Sequence, residues 1–339
     1  MSSIEQVVSP LRGTPPSSPG TVMVSIIIPA LNEEKMIGRC LESLAHMDFP
    51  RERFEVILVD NGSTDRTLDI ARAFQGRLNL RVLKKTGVRI SGLRNLGARE
   101  ARGAILAFLD ADCLAPNTWL ERMVALAPTD GAGVLGAHYL LPENSSWVGR
   151  TWHRYHEAEK SGEVSHVPAG DLIMRREDFL RLNGFDESIQ TNEDYELCER
   201  VRAAGMMVRA HPQIGVVHLG TAQSLRVFFR KQAWHGTHVV KVFLRNVTGS
   251  HNLKAVMFAG YTLLCMLGIL VGIAWSLFAG APWMLPLAAT VGLLLAPVAL
   301  SVKQVAISRK WPDFFPLMAL YLTYGIARAR ALVSVKSFS

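Results

Sequence analysis

The feature that most constrains this chain is a long uncharged segment in its C-terminal third. From Ala255 to Val302 there is no Asp, Glu, Lys, Arg or His. A membrane-spanning helix needs about 20 apolar residues, so this segment is long enough for two. Gly280-Ala281-Pro282 interrupts it near the middle. We therefore predict a transmembrane helical hairpin, with spans at about 255–279 and 283–302 joined by a very short turn.

A third apolar helix is expected at about 314–332, where Arg328 and Arg330 follow a short apolar run. Such a run is typical of a helix that lies in the membrane interface, and a further span is the alternative. Basic residues flank the hairpin on both sides: Lys254, Lys303, Arg309 and Lys310. The positive-inside rule then predicts a multi-pass protein of the inner cell membrane, with both outer ends of the hairpin in the cytoplasm.

The formal net charge of +8 could indicate nucleic-acid binding. However, a group of basic residues lies just before the first predicted span, where anionic lipid headgroups are the nearer partner. These residues are Arg226, Arg230, Lys231, Lys241 and Arg245. We therefore expect a membrane partner and no nucleic acid. The four cysteines form no CxxC pair, which favours reduced thiols over a zinc site or a disulfide framework.

The pattern divides the chain into three parts. Residues 1–21, rich in Ser and Pro and lacking an apolar signal-peptide core, are expected to form a flexible tail. Residues 22–250 form a globular domain that faces the cytoplasm, and residues 251–339 form the membrane region. In the globular domain, short apolar runs alternate with helical segments. This alternation predicts an α/β fold with a parallel sheet covered by helices on both faces.

Three of the predicted strands end in polar or acidic residues. In parallel sheets, ligands bind at the carboxyl ends of the strands. Each of these segments could be an ordinary turn by itself, but their joint occurrence predicts one binding crevice. The segments are Pro29-Ala30-Leu31-Asn32-Glu33, Asp60-Asn61-Gly62-Ser63 and Asp110-Ala111-Asp112.

The two carboxylates around Ala111 suit a hard divalent cation, Mg²⁺ or Mn²⁺, which prefers oxygen ligands and keeps positions open for substrate phosphates. Asp112 is the expected direct ligand. Asp110 either reaches a ribose or supports the cation through water. A cation at this position would offset the charge on a diphosphate leaving group.

These segments, in this order and spacing, resemble glycosyltransferase family 2, whose members have the GT-A fold. The resemblance covers about residues 23–240 and also rests on Gly184-Phe185-Asp186-Glu187 and on Asn192-Glu193-Asp194-Tyr195. It implies a mixed, mainly parallel sheet and an inverting hexosyltransferase with a DxD motif and a nucleotide-sugar donor. The donor-binding residues that it implies are Pro29, Leu31, Glu33, Asp60, Asn61, Arg89, Asp110, Ala111 and Asp112.

The resemblance also assigns roles on the acceptor side. Asp194 matches the position of the catalytic base, and Glu193 beside it is carried over as a donor-binding residue. The same acids also fit the first turn of a helix, where they complement its dipole. His218 is either a further metal ligand or a structural histidine. Lys231 either contacts the diphosphate or faces the membrane. The segment Arg230 to Trp234 departs from the Gln-x-x-Arg-Trp of processive relatives, which favours the transfer of a single sugar.

The predicted hairpin favours a lipid-linked acceptor, such as a polyprenyl phosphate or a glycolipid intermediate, and a role in cell-envelope polysaccharide or glycolipid biosynthesis. A glycan or protein acceptor stays open. One alternative is a catalytically inactive GT-A-like membrane scaffold. Another is a sugar-phosphate nucleotidyltransferase, although Pro29-Ala30-Leu31-Asn32 lacks the Gly-rich loop of that class. The motifs specify neither the base nor the sugar of the donor, and they indicate no oligomeric state.

Overall fold

The computed structural model describes residues 22–126, 132–157, 161–189, 191–236 and 250–333. The predicted tail at 1–21 lies outside the described residues, and so do residues 237–249 before the predicted boundary at 250. Contacts divide the described chain into two units. The first takes the described residues of Met1–His138, Lys160–Phe185 and Leu197–Val216, and the second those of Tyr139–Glu159, Asp186–Glu196 and Val217–Ser339.

The strands follow the apolar runs of the sequence. In chain order they are β1 (Val24–Ala30), β2 (Phe54–Asp60), β3 (Leu80–Lys84), β4 (Ile105–Leu109), β5 (Cys113–Leu114), β6 (Ala132–Gly136), β7 (Gly162–Glu163), β8 (Asp171–Arg175), β9 (Met207–Ala210) and β10 (Val217–His218). All seven residues of β1 and of β2 are buried, as a strand in the middle of a two-faced sheet requires.

The helices were expected between these strands and after them. They are α1 (Ile37–Ala45), α2 (Thr67–Arg72), α3 (Ile90–Glu100), α4 (Trp119–Leu126), α5 (Trp147–Trp152), α6 (Arg176–Arg181), α7 (Glu193–Ala203), α8 (Leu225–Gly236), α9 (Ser250–Ala279), α10 (Met284–Ser308) and α11 (Phe314–Val333). Helix α2 begins at Thr67, directly after a turn in which the amide of Thr67 donates to Oδ1 of Asp65.

The first unit contains a mixed sheet of eight strands, in the order β3-β2-β1-β4-β8-β6-β9-β7. Strands β3, β2, β1 and β4 are parallel to one another, and β8 runs antiparallel to both β4 and β6. The carboxyl ends of β2, β1 and β4 therefore lie side by side at one edge of the sheet. The prediction of a mixed, mainly parallel sheet flanked by helices is confirmed.

Helix α3 packs unusually close to the sheet. A Cβ added at Gly97 would lie 2.5 Å from Cγ2 of Ile27, which no side chain could tolerate without movement of the neighbours. The same face of α3 carries Ser91 and Arg94, both of them buried. Because residues three apart share a helix face, these side chains are directed at the sheet.

The second unit contains the apolar helices. Two helices of the described chain are long and apolar enough to cross a membrane by length and composition: Leu253–Ala279 within α9, and Met284–Ser308. They form a hairpin in which the hydroxyl of Tyr261 donates to the carbonyl of Gly292 at 2.6 Å. The predicted spans are thus found as helices, each somewhat longer than expected. The third apolar helix, α11, does not meet the same criterion.

Candidate functional site

The loops after β1 and β2 are joined by hydrogen bonds. The amide of Asn32 donates to Oγ of Ser63 at 2.9 Å, and the Asn32 side chain accepts from the amide of Thr64 at 2.9 Å. The amide of Glu33 donates to Oγ1 of Thr67 at 2.7 Å. Asn32 has a φ of 56°, a conformation that Asn tolerates better than most residues. The loop that carries Leu31 and Glu33 is therefore held in one shape by its neighbour.

Asp60 shapes the turn at the end of β2. Its side chain is fully buried, and its carboxylate accepts from the amides of Gly62 at 2.9 Å and Ser63 at 3.1 Å. Asn61 follows Asp60 at the same edge, and its Nδ2 donates to the carbonyl of Val88 at 2.8 Å. This bond holds the segment that leads into α3, where Arg89 is the N-cap residue. The predicted residues Asp60, Asn61 and Arg89 are thus brought to one edge of the first unit.

Three predicted residues belong to β1 or to the loop that follows it. Pro29 is buried in β1, and the side chain of Leu31 is 48% exposed just beyond that strand. Glu33 is half-buried. An exposed apolar side chain next to a half-buried carboxylate suits a flat heterocycle that also has hydrogen-bonding groups. The arrangement is compatible with the predicted base and ribose pocket.

The Asp110-Ala111-Asp112 segment forms a turn directly after β4. The amide of Cys113 donates to the carbonyl of Asp110 at 3.0 Å, and the side chain of Ala111 is buried. Nη2 of Arg94, on α3, donates to Oδ1 of Asp110 at 2.6 Å. Arg94 is 2% exposed and Asp110 is 24% exposed, so this ion pair is largely shielded from water. The carboxylate of Asp112 is half-buried.

The carboxylates of this turn are compatible with a divalent cation that takes most of its ligands from waters and substrate phosphates. Among the described residues there is no group of three or more His, Cys, Asp or Glu that could hold a metal by themselves. Mg²⁺ commonly uses only one or two carboxylates and completes its octahedron with waters and substrate phosphates. Asp112 can supply such a carboxylate. Asp110 shares its charge with Arg94, which fits the supporting role that the sequence left open for it.

The predicted base and the further metal ligand belong to the second unit. Glu193 and Asp194 begin α7, Glu193 being buried and Asp194 half-buried. Asn192 before them has a φ of 66°. The carboxylate of Asp194 accepts from the amide of Tyr195 at 2.8 Å, which fixes the side chain at the helix start. The structure is therefore compatible with both roles of these acids, that of the catalytic base and that of the helix N-terminus.

His218 and Lys231 are also residues of the second unit. The ring of His218 stacks on Tyr139, with centroids 4.6 Å apart and planes at 17°. Its amide donates to the carbonyl of Leu140 at 3.1 Å, so β10 is tied to the segment after His138. Nζ of Lys231 donates to the carbonyl of Gly220. Because a lysine that binds a loop carbonyl is oriented by that loop, Lys231 has a defined position on α8.

Two residues of the first unit were not found from the sequence. Arg94 is one, since it pairs with Asp110. The other is Asp171, which begins β8 opposite Leu109, the last residue of β4. Asp171 is fully buried, and Nε1 of Trp119 donates to its Oδ1 at 3.3 Å. Burial raises the pKa of Asp171 well above its usual value, against the hydrogen bonds that it accepts. Its Oδ2 has no hydrogen-bond partner within the described residues.

Comparison with known proteins was made on sequence and on structure. Residues 25–182 match the model described as Glycosyl transferase family 2. The chain is 41% identical over 199 residues to glycosyltransferase AglE of Haloferax volcanii, a match that covers 57% of this chain and 66% of that protein. It is 34% identical over 243 residues to validoxylamine A glucosyltransferase of Streptomyces hygroscopicus subsp. limoneus, covering 60% of this chain and 52% of the relative. The chain thus spans between half and two thirds of the length of these two relatives.

A solved structure with a similar fold is the mannosyltransferase PcManGT from Pyrobaculum calidifontis, in complex with GDP-Man and Mn²⁺. The TM-score is 0.59 at 21% sequence identity, and the match covers 95% of this chain and 90% of the other. At this identity the likeness concerns the fold alone. The fold is therefore that of the GT-A glycosyltransferases, as the arrangement of strands in the first unit had indicated.

Proposed function

Because the chain belongs to glycosyltransferase family 2, we propose that it transfers one sugar from a nucleotide-diphosphate-sugar to a lipid-linked acceptor, with inversion of configuration. The observation that carries this proposal is the edge of the sheet where β1, β2 and β4 end side by side. That edge carries the interlocked loops of Glu33 and Asp60 and the Asp110-Ala111-Asp112 turn. A nucleotide and its diphosphate need these elements: a shaped pocket for the base and carboxylates for a cation.

On the donor side, Asp112 and Asp110 would hold Mg²⁺ or Mn²⁺, which would supply Lewis-acid stabilisation to the leaving diphosphate. The solved mannosyltransferase with GDP-Man and Mn²⁺ supports this choice. Arg94 would fix the carboxylate of Asp110 through its ion pair. Pro29, Leu31, Glu33, Asp60, Asn61, Ala111 and Arg89 of the first unit would line the donor pocket. The sequence resemblance also assigns donor binding to Glu193, and it leaves Lys231 open between the diphosphate and the membrane.

On the acceptor side, Asp194 would accept the proton of the attacking hydroxyl. A positioned general base contributes typically about 10²–10⁴ in rate. The hydrogen bond from the amide of Tyr195 keeps one oxygen of Asp194 oriented, which supports this role. For His218 the sequence resemblance leaves two roles open, a cation ligand and a structural histidine, and its stacking on Tyr139 within the second unit supports the structural role. The departure from the processive motif at Arg230 to Trp234 supports single-sugar transfer.

We propose that the acceptor is lipid-linked and that the reaction takes place at the cytoplasmic face of the inner membrane. The support is that α9 and α10 are long and apolar enough to span a bilayer. Basic residues at the outer ends of the hairpin favour a cytoplasmic side for the globular domain. A soluble acceptor would give the chain no reason to carry such a hairpin.

The decisive experiment is a nucleotide-sugar panel on membranes that contain the protein, with and without EDTA. Asp112→Ala should abolish cation-dependent donor binding. Asp194→Asn should retain donor binding and lose transfer by at least about 10². Asp69→Ala removes a carboxylate from the exposed pair with Arg72 and serves as the matched control, with unchanged transfer. Wild-type rates in both Asp112→Ala and Asp194→Asn would overturn the proposal, and release of pyrophosphate would indicate a nucleotidyltransferase.

Membrane orientation can be tested by cysteine labelling in intact cells. S63C should be protected and A281C should react from outside. Cys40, Cys113 and Cys198 are buried, so only the half-buried Cys265 needs replacement by Ser in the background. Equal reactivity of the two engineered positions would contradict the proposed orientation.

A further inference from the structure

Helices α8 and α11 of the second unit contact each other closely at one position. A Cβ added at Gly236 would lie 2.6 Å from Cβ of Ala331 and 3.2 Å from Cδ of Arg328. Nη2 of Arg328 donates to Oε1 of Gln232 at 3.1 Å. The glycine therefore allows the Arg328 side chain to pass between the helices and reach the side of α8 that carries Gln232.

Arg328 is partly buried, and among the side chains that the structure describes it forms hydrogen bonds with Gln232 and Tyr324 and with no carboxylate. Its guanidinium carbon lies 5.0 Å from the centroid of the Tyr324 ring. Its Nε is buried and has no hydrogen-bond partner among the described residues. Burial lowers the pKa of Arg328. A shielded guanidinium without a counter-charge is unfavourable, so this position is stabilised when an anion is bound.

Other basic side chains lie near Arg328 and add to the same field. The pKa of His235 is lowered to about 4, first by burial and then by the charges of Arg328, Lys231 and His218. At neutral pH His235 is therefore uncharged. We call Lys231, His235 and Arg328 the cationic cluster. Two basic side chains that both act on His235 suit an anion of more than one negative charge, such as a phosphate monoester.

The cationic cluster lies beside the segment of the proposed base. Oγ1 of Thr191 donates to the carbonyl of His235 at 3.4 Å. Thr191 precedes Asp194 by three residues, and all of these residues belong to the second unit. An anion held by the cluster would therefore lie near the residues that are proposed to receive the acceptor.

The other side of the cluster is apolar. The ring of Tyr324, which contacts Arg328, lies 5.9 Å from the ring of Phe258 on α9. A Cβ at Gly325 would lie 2.7 Å from Oγ1 of Thr262, so α11 and α9 are in close contact here. Phe258 is five residues from the start of the candidate span Leu253–Ala279, which corresponds to about 7.5 Å along the helix. Phe258 therefore lies near the N-terminal end of the candidate span.

We propose that the cationic cluster binds the phosphate of an amphiphilic acceptor, a polyprenyl-type phosphate whose chain follows α9 and α11. The inference rests on the proposed function and deepens it by naming the substrate class. The guanidinium of Arg328 makes a bidentate contact with the phosphate, and Lys231 adds a second positive charge. Phe258 and Tyr324 contact the first isoprene units of the chain.

The test uses the purified full-length protein in non-ionic detergent and measures the binding of radiolabelled farnesyl phosphate. Arg328→Gln should weaken this binding by about tenfold or more, because a charge-assisted hydrogen bond is lost. Arg328→Lys keeps the positive charge but loses the planar guanidinium, and should weaken farnesyl phosphate binding less. Arg330→Gln is the matched control, since Arg330 is exposed on the same helix. Binding of UDP and GDP should be the same in all four proteins.

Four outcomes would overturn the inference. Farnesyl phosphate could bind equally to the wild type and to Arg328→Gln, or Arg330→Gln could weaken binding as much. Phosphatidylglycerol could displace farnesyl phosphate at equal concentration, which would indicate general lipid binding. UDP or GDP could displace it, which would assign the cluster to the donor. Should Arg328→Gln not fold, the difference between Arg328→Lys and wild type decides. A wild type that binds neither UDP nor GDP would refute the proposed function, independently of the result for the cationic cluster.

Discussion

The guanidinium of Arg94 donates to the carboxylate of Asp110 across 2.6 Å, and Arg94 is only 2% exposed. Removal of one partner from a buried ion pair is strongly destabilising, because the other charge is left shielded from water. Arg94→Met should therefore lower the free energy of unfolding by about 3 kcal/mol or more. Thermal unfolding in detergent measures this, and donor binding should fall as Asp110 loses its orientation.

The matched control for this prediction is Arg72→Met. Arg72 pairs with Asp69 at 3.3 Å, but both side chains are more than half exposed. Exposed pairs contribute about 0–1 kcal/mol, so the control should unfold nearly as the wild type does. Equal shifts in the two variants would contradict the view that burial makes the Arg94 pair important.

Asn95 holds the Gly184-Phe185 turn to α3. Its Nδ2 donates to the carbonyl of Phe185 at 2.8 Å, and its Oδ1 accepts from the amide of Phe185 at 2.9 Å. Asn95→Ala would leave both backbone groups unsatisfied in a buried place, which should cost about 2–4 kcal/mol of stability. Unfolding by urea measures this cost. The exposed Asn79, whose side chain makes one bond of 3.4 Å to Phe54, is the control and should cost much less.

Asp171 should make the stability of the first unit depend on pH. Burial raises the pKa of Asp171 in the folded state. Its contribution to the free energy of unfolding is therefore fully present below the unfolded pKa and is lost as the pH rises. Asp171→Asn has the same shape without the charge. The variant should therefore become more stable relative to the wild type between pH 4 and pH 8. Melting temperatures at a series of pH values measure this, and a constant difference would refute the explanation.

His235 should have the opposite effect. Its folded pKa of about 4 lies below the usual value of 6.5, so the unfolded chain binds more protons between these two values. The contribution of His235 to the free energy of unfolding is present above pH 6.5. It falls by roughly 2–3 kcal/mol as the pH is lowered towards 4. His235→Gln should remove this part of the acid sensitivity. The control is His46→Gln, at the exposed residue that follows α1, and a loss of acid sensitivity equal to that in His235→Gln would contradict the prediction.

The main strands could be predicted because their residues are buried on both faces. Even Ser25 and Glu55, polar residues inside β1 and β2, follow a simple rule. Oγ of Ser25 donates to Oε1 of Glu55 at 2.7 Å, and Arg81 pairs with the other oxygen of Glu55 at 3.2 Å. Since buried polar groups pair with one another, such exceptions do not disturb the apolar pattern.

Arg94 was missed because a charged residue in a helix is usually assigned to solvent. Its position contained the missing signal: Ser91, Arg94 and Gly97 are spaced by three, and small residues mark the face that approaches the sheet. Asp171 offers no comparable signal. Its position opposite Leu109 depends on the insertion of β8 between β4 and β6, which pairs segments far apart in the chain.

The hydrogen bonds between the loops after β1 and β2 involve the backbone amides of Asn32, Glu33 and Thr64 and the side chains of Asn32, Ser63 and Thr67. The side chains of Leu31 and Glu33 take no part in these particular bonds. A change at either position should therefore alter the proposed base pocket while the loop keeps its path. Such a frame would let the nucleobase preference change by point substitution without loss of the fold.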